Sequence, residues 1–312
     1  MLHINPNLIK IRKAKKKYYD SMSELIQKRI DNLTKKPSDA LKKIQDIQPY
    51  IDYFNTWINL ETILIGRPDV LYYKSILLGS DIESSKELKA CVEYVFNYKW
   101  FCGKKKSKYD AYDLAHSLKI NTCPYCNRNY TNTIITVDKE KFCRPAFDHY
   151  FPESKHPLLA ISFYNLIPSC TTCNSGRKGA DDVRLDTHLN PYVAEQTNDI
   201  VFSYQYSSHT LSDLEVVTKC LSVKERKSLE LFGIKEVYNT HIDELRDMIR
   251  MRTYFTDQYL DILQSNLLDG IIISRKELYR LAFGTEFQSE DFINKPLSKF
   301  KNDILKELGI IE

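Results

Sequence analysis

Apolar positions recur at helical spacing through the first part of the chain. Ile11, Tyr18, Met22 and Leu25 stand 7, 4 and 3 residues apart, which predicts one buried face of a long first helix that Lys36-Pro37-Ser38 ends. Ser38 is placed to cap a second helix carrying Leu41, Ile44 and Ile47, and Pro49 is expected to break the chain before an aromatic stretch from Tyr50 to Trp57. A further helix is predicted from about Ser84 to Trp100. Between about 119 and 190 the helical period stops, and Cys, Pro, Asn and His gather. There Tyr130 to Val137, Phe142 to Tyr150 and Ser162 to Ile167 have the composition of strands. After Pro191 a short strand, Ile200 to Tyr206, precedes a return to helix, with Tyr238, Ile242, Leu245 and Ile249 spaced 4, 3 and 4 apart and a helical tail from Ser274 onward.

This pattern predicts a mainly α protein with a small central α+β module. Its regions are a helical part over 1–118, a chemistry-bearing module over 119–190 and a mostly helical part over 191–312. No internal repeat or low-complexity linker separates them, so the helical flanks are expected to pack around the module.

With 312 residues, 21 Tyr and 14 Phe the chain can build a substantial core, and only 9 Gly and 11 Pro argue against an all-β design. The net charge of +4 is modest, and the basic run from Lys10 to Lys17 reads first as a solvated helix face. No apolar run approaches the roughly 20 residues a membrane helix needs, and the N-terminus lacks a secretory core, so a soluble cytoplasmic protein without a membrane partner is expected. In a reducing compartment its eight cysteines are better read as metal ligands or thiols than as disulfides.

Four of them are paired. Cys123-Pro-Tyr-Cys126 and Cys170-Thr-Thr-Cys173 are two Cys-x-x-Cys knuckles, and together they offer four thiolates to one tetrahedral zinc. A closed shell of four sulfurs leaves no position for water, so this zinc is expected to be structural, worth roughly 10 kcal/mol or more of folding free energy. Redox dithiols or core cysteines are the competing explanation. Cys91, Cys102, Cys143 and Cys220 have no matching spacing and are expected to be buried thiols.

Between and after the knuckles run Phe147-Asp148-His149-Tyr150-Phe151-Pro152, then Asn165, then Cys173-Asn174-Ser-Gly-Arg177-Lys178. Over residues 121–179 this order resembles the HNH, or ββα-metal, nucleases. The resemblance implies a ββα-metal core with His149 as general base, Asp148 and Asn174 as ligands of a divalent cation, and Asn165 orienting the His149 segment. An imidazole with an ordinary pKa of about 6.5 suits proton removal from water near neutrality. Many family members carry His at the last position, whereas the neutral oxygen donor Asn174 tilts the expected metal toward magnesium or manganese. Adjacent residues of a strand face opposite ways, so Asp148 and His149 are expected to need a twist or bulge to act together. Arg177 and Lys178, opening the expected helix, and His188, in His-Leu-Asn-Pro-Tyr, are candidate contacts to nucleic acid, DNA or RNA. His116, His156, His209 and His241 stand in no constellation.

The Cys-Pro-Tyr-Cys-Asn, Phe-Asp-His-Tyr-Phe-Pro and His-Leu-Asn-Pro-Tyr runs further resemble the HNH proteins paired with ATPases in Septu and retron-linked antiviral defence. That likeness implies a partner ATPase. The chain has no Gly-x-x-x-x-Gly-Lys-Ser/Thr loop, so nucleotide hydrolysis would come from elsewhere. Two other functions compete with an endonuclease: a non-catalytic zinc module binding nucleic acid or protein, and a toxin-like ribonuclease acting on transfer RNA.

Overall fold

A computed structural model describes residues 1–103, 108–193, 200–206, 214–254 and 275–311, and these are mainly helical with a few short strands. Two units are distinguished: one comprises Asn5–Ile120 and Thr131–Tyr192, the other Met1–Ile4, Asn121–Tyr130 and Val193–Glu312.

In the first unit, helix α1 (Ile9–Asp31) buries Ile11, Ala14, Tyr18, Met22, Ile26 and Ile30. The apolar face therefore runs through Ile26, and Leu25 sits at its half-buried margin. Ser38 does cap the next helix, accepting from the Leu41 N–H at 3.4 Å, but α2 (Asp39–Lys42) is only one turn long. Pro49 does not break the chain. It falls in the first turn of α3 (Gln48–Trp57), where a missing N–H costs nothing, so the aromatic stretch is itself a helix. Helices α4 (Leu60–Ile65) and α5 (Pro68–Ser84) follow. The long helix expected from Ser84 to Trp100 is two, α6 (Lys86–Val95) and α7 (Tyr98–Cys102), each with its own cap: Ser85 accepts from Leu88 and Asn97 from Trp100. A capping box of Asp110 and Asp113 starts α8 (Ala111–Leu118).

Helix α1 packs against α3, α4, α6 and α8, and Tyr18 lies at the middle of this core. Its ring meets Phe101, Tyr109 and Phe163 edge-on, and its hydroxyl donates to the Ile161 carbonyl. The Ser162 hydroxyl donates to the Ile63 carbonyl of α4. Two helices thus grip residues 161 and 162, and the loop that carries them is fixed where it passes the candidate site.

The strand regions are shorter than their composition suggests. Strands β1 (Ile134–Ile135) and β2 (Lys141–Cys143) form a small hairpin, and β3 (Ala146–His149) pairs antiparallel with β4 (Leu166–Ser169). Pro145 separates β2 from β3, and the stretch from Ser162 begins as a single 3-10 turn, Phe163–Asn165, before extending. After β4 comes a π-helical segment, Thr172–Lys178, in place of the regular helix expected there. Gly179 ends it at a φ of 51° that suits a residue without a side chain.

In the second unit, β5 (Val201–Tyr206) and β6 (Leu214–Lys219) form a continuous antiparallel hairpin. Helices α9 (Val223–Leu231), α10 (Ile234–Asn239) and α11 (Ile242–Tyr254) follow; the expected Tyr238-to-Ile249 face is broken at Thr240 and centres on Leu245 and Met248. The Asn239 side chain accepts from Val216 N–H at 2.9 Å and donates to Val216 C=O at 3.2 Å, standing in for a strand neighbour. The tail is helical in α12 (Arg275–Phe283) and α13 (Ser298–Glu307), while Ser274 itself lies outside the described residues, as does His209. Phe202, Tyr238 and Phe300 pack ring against ring beneath β5.

Candidate functional site

The four paired cysteines are all buried, and their sulfurs lie within 4.8 Å of one another. Such a set of soft donors suits one zinc ion in a closed tetrahedron. Each pair sits in a tight turn closed by the same bond: the Asn127 N–H donates to the Cys123 carbonyl at 2.7 Å, and the Asn174 N–H to the Cys170 carbonyl at 2.9 Å. The Arg128 N–H points at the Cys126 sulfur at 3.5 Å, a bond that offsets thiolate charge. Of the other cysteines only Cys91 is fully buried; Cys102, Cys143 and Cys220 are partly exposed.

Sequence reasoning missed the residue that anchors the first knuckle. Asn127 follows Cys126 with a φ of 48°, a left-handed conformation that Asn tolerates better than most residues. Its buried side chain donates to Thr122 Oγ1 at 3.0 Å and to the Phe292 carbonyl at 2.9 Å, and accepts from the Lys299 N–H at 3.1 Å. Its own carbonyl accepts from the Leu297 N–H at 2.6 Å. Tyr238 adds a bond to the Cys126 carbonyl at 2.6 Å, and Tyr125 stacks on Phe232.

Asp148 and His149 end β3, opposite Ile167 and Leu166 of β4. The pairing is continuous, without the bulge expected from their adjacency, so the two side chains leave the strand on opposite faces. The His149 Nε2 lies 2.8 Å from the Ala160 carbonyl, and its ring stands edge-on to Tyr98 with centroids 4.5 Å apart. A carbonyl only accepts, so Nε2 carries the proton and Nδ1 the lone pair of the neutral ring. Burial pushes the His149 pKa down to about 4, against the opposing pull of the Ala160 carbonyl and with a smaller push from the Lys178 charge.

Asn165 is fully buried and serves the loop after β3. It accepts from Phe151 N–H at 2.7 Å and donates to the carbonyls of Phe151 and Leu159 at 3.1 and 2.9 Å. That loop carries Ala160, whose carbonyl lies against His149 Nε2.

Asn174 and Arg177 lie on the π-helical segment, half-buried and exposed respectively. Lys178 departs from the expectation of a phosphate contact. Its side chain is 1% exposed, with Nζ 3.2 Å from Asp148 Oδ1 and 2.6 Å from the His149 carbonyl. An ammonium so enclosed is not presented to a nucleic-acid backbone. His188 is partly buried: its Nδ1 pairs with Thr187 Oγ1 at 2.9 Å, and its carbonyl accepts from the Tyr150 hydroxyl at 3.0 Å. His156, assigned nothing from sequence, pairs through Nδ1 with the Ser75 hydroxyl at 2.7 Å.

Among known proteins the chain is 29% identical over 121 residues to the Septu protein PtuB of Bacillus thuringiensis, a match covering 38% of this chain and 42% of that protein. The similarity is distant, and the chain spans less than half the length of that relative. No protein-family profile and no solved structure matches. Among the described residues, no helix is long and apolar enough to cross a membrane.

Proposed function

We propose that this chain is a metal-dependent endonuclease of the HNH type, hydrolysing phosphodiester bonds as the effector of an antiviral defence complex with a partner ATPase. The setting of His149 carries this reading. Its Nε2–H is engaged by the Ala160 carbonyl, which leaves Nδ1 to accept a proton, and burial keeps the ring neutral at physiological pH. The same carbonyl favours the protonated ring and so opposes part of the burial effect that disfavours it. Asn165 touches no reacting atom in this scheme; it holds the loop that holds the ring.

Asp148 and Asn174 are the residues that would hold the divalent cation. Both offer hard oxygen, the donor type that magnesium and manganese take, and they lie on elements that Lys178 bonds together. Such a cation supplies, when bound, stabilisation of the charge that grows on the phosphate and its leaving oxygen. Arg177, exposed on the same segment, is placed to meet a backbone phosphate. The four thiolates hold a structural zinc. The likeness to a Septu protein supports the defence setting.

A second reading, a zinc module that binds nucleic acid or protein without cleaving, is favoured by the Asp148–Lys178 pair, which already satisfies the carboxylate. Cleavage of plasmid, single-stranded DNA and RNA with magnesium or manganese, by the chain alone and with its co-purified partners, separates the two. His149→Ala is expected to lower the rate by about a hundredfold or more while zinc content and folding stay intact. Equal cleavage by that variant removes His149 from the mechanism, and no cleavage by either protein favours the binding module.

A further inference from the structure

A lysine ammonium buried at 1% exposure is rare, because removing its charge from water costs several kcal/mol unless it is well paired. Lys178 is paired twice. One bond goes to the Asp148 carboxylate and the other to the main chain of His149, so a single side chain from the π-helical segment touches both residues of the candidate reacting pair. The carboxylate is as enclosed as its partner, at 1% exposure, so the ammonium sets a positive charge directly against a buried negative one.

We infer that Lys178 is a positioning residue, the built-in counter-charge that holds Asp148 in place and ties it to the backbone of His149. The cation arm of this inference rests on the nuclease reading; the charge pairing does not. A divalent ion arriving at Asp148 meets a carboxylate that an ammonium has partly neutralised, so Lys178 tempers its affinity for metal. Removing that ammonium leaves the carboxylate with more to gain from the ion.

The test compares wild type, Lys178→Met and the charge-free double variant Asp148→Asn/Lys178→Met, each zinc-loaded and melted in buffer without added divalent metal and with manganese chloride. Lys178→Met is expected to melt below wild type without manganese, which raises its midpoint by about twice the wild-type shift or more, as a buried carboxylate that has lost its ammonium neighbour gains most from a bound cation. The double variant is expected to recover stability without manganese and lose the manganese response. A Lys178→Met protein as stable as wild type, or a double variant no more stable than Lys178→Met, overturns the counter-charge, because the deficit would then be absent or due to lost packing. This holds even if Lys178→Met fails to fold, since the double variant must then fold. If the charge pattern appears without manganese but manganese shifts no protein, the pairing stands and the cation at Asp148 falls.

In the cleavage assay Lys178→Met is expected to lower kcat about tenfold or more with the KM for nucleic acid changed by less than about threefold, since an enclosed side chain does not touch substrate. A raised KM with kcat retained returns Lys178 to the substrate and overturns the assignment.

Discussion

Asn165 meets Phe151 through both main-chain groups, accepting from its N–H at 2.7 Å and donating to its carbonyl at 3.1 Å. One amide side chain thereby does for a loop what a neighbouring strand does for a sheet, and the loop so held runs on to Ala160.

Asn165→Asp keeps the acceptor and loses both donated bonds. Two carbonyls are then left facing a carboxylate in the interior, so the variant is expected to lose about 2–3 kcal/mol in urea unfolding. Cleavage should fall more steeply than stability, because the Ala160 carbonyl no longer holds the His149 ring. A variant with wild-type stability and rate would show that the loop is held elsewhere.

Cys123→Ser removes one of four sulfur donors. Zinc measured by elemental mass spectrometry is expected to fall from one per chain toward none, with a large drop in melting temperature. A zinc-replete, fully stable variant would refute the four-thiolate assignment.

Asn127→Gly tests the anchor of the first knuckle separately from the metal. Glycine accepts the 48° φ without strain, so the change removes the side-chain bonds to Thr122, Phe292, Lys295 and Lys299. Faster amide hydrogen exchange over 292–299, with zinc retained, is the expected result. Unchanged protection there would mean that the segment does not depend on Asn127.

Acid should weaken the fold through His156. Burial lowers its pKa, Asp182 opposes the shift and Lys155 adds to it. The unfolded chain takes up the proton first, near about pH 6.5, so this contribution is complete above that value and is lost as pH falls toward the folded pKa, by up to about 1.4 kcal/mol per pH unit. His149, held near 4, acts in the same direction. Urea unfolding between about pH 7 and about pH 5.5 should show stability falling with acid, and a smaller slope in His156→Gln. Equal slopes would exclude His156 as a source.

What could be read from sequence was local. The two cysteine pairs, the Ser38 cap and most of the α1 face depend on spacings of a few residues, which the chain displays directly. Pro49 misled because proline breaks a helix only from within, and in a first turn it is compatible with starting one. Lys178 misled for a related reason: a lysine beside an arginine after a turn reads as surface, and the carboxylate that draws it inside is 30 residues earlier. Asn127 was passed over because its partners at Phe292 and Lys299 are 165 and 172 residues away. The strands were placed in the right neighbourhoods but made too long, since composition marks a preference for extension and only the partner strand decides where pairing stops.

The long reach of Asn127 also sets an order of events during synthesis. A ribosome delivers Cys123 and Cys126 well before residues 292–299, so the bonds that seat this turn are completed only once that later segment has emerged. Until then the turn has its sulfurs but not the side-chain bonds that line it.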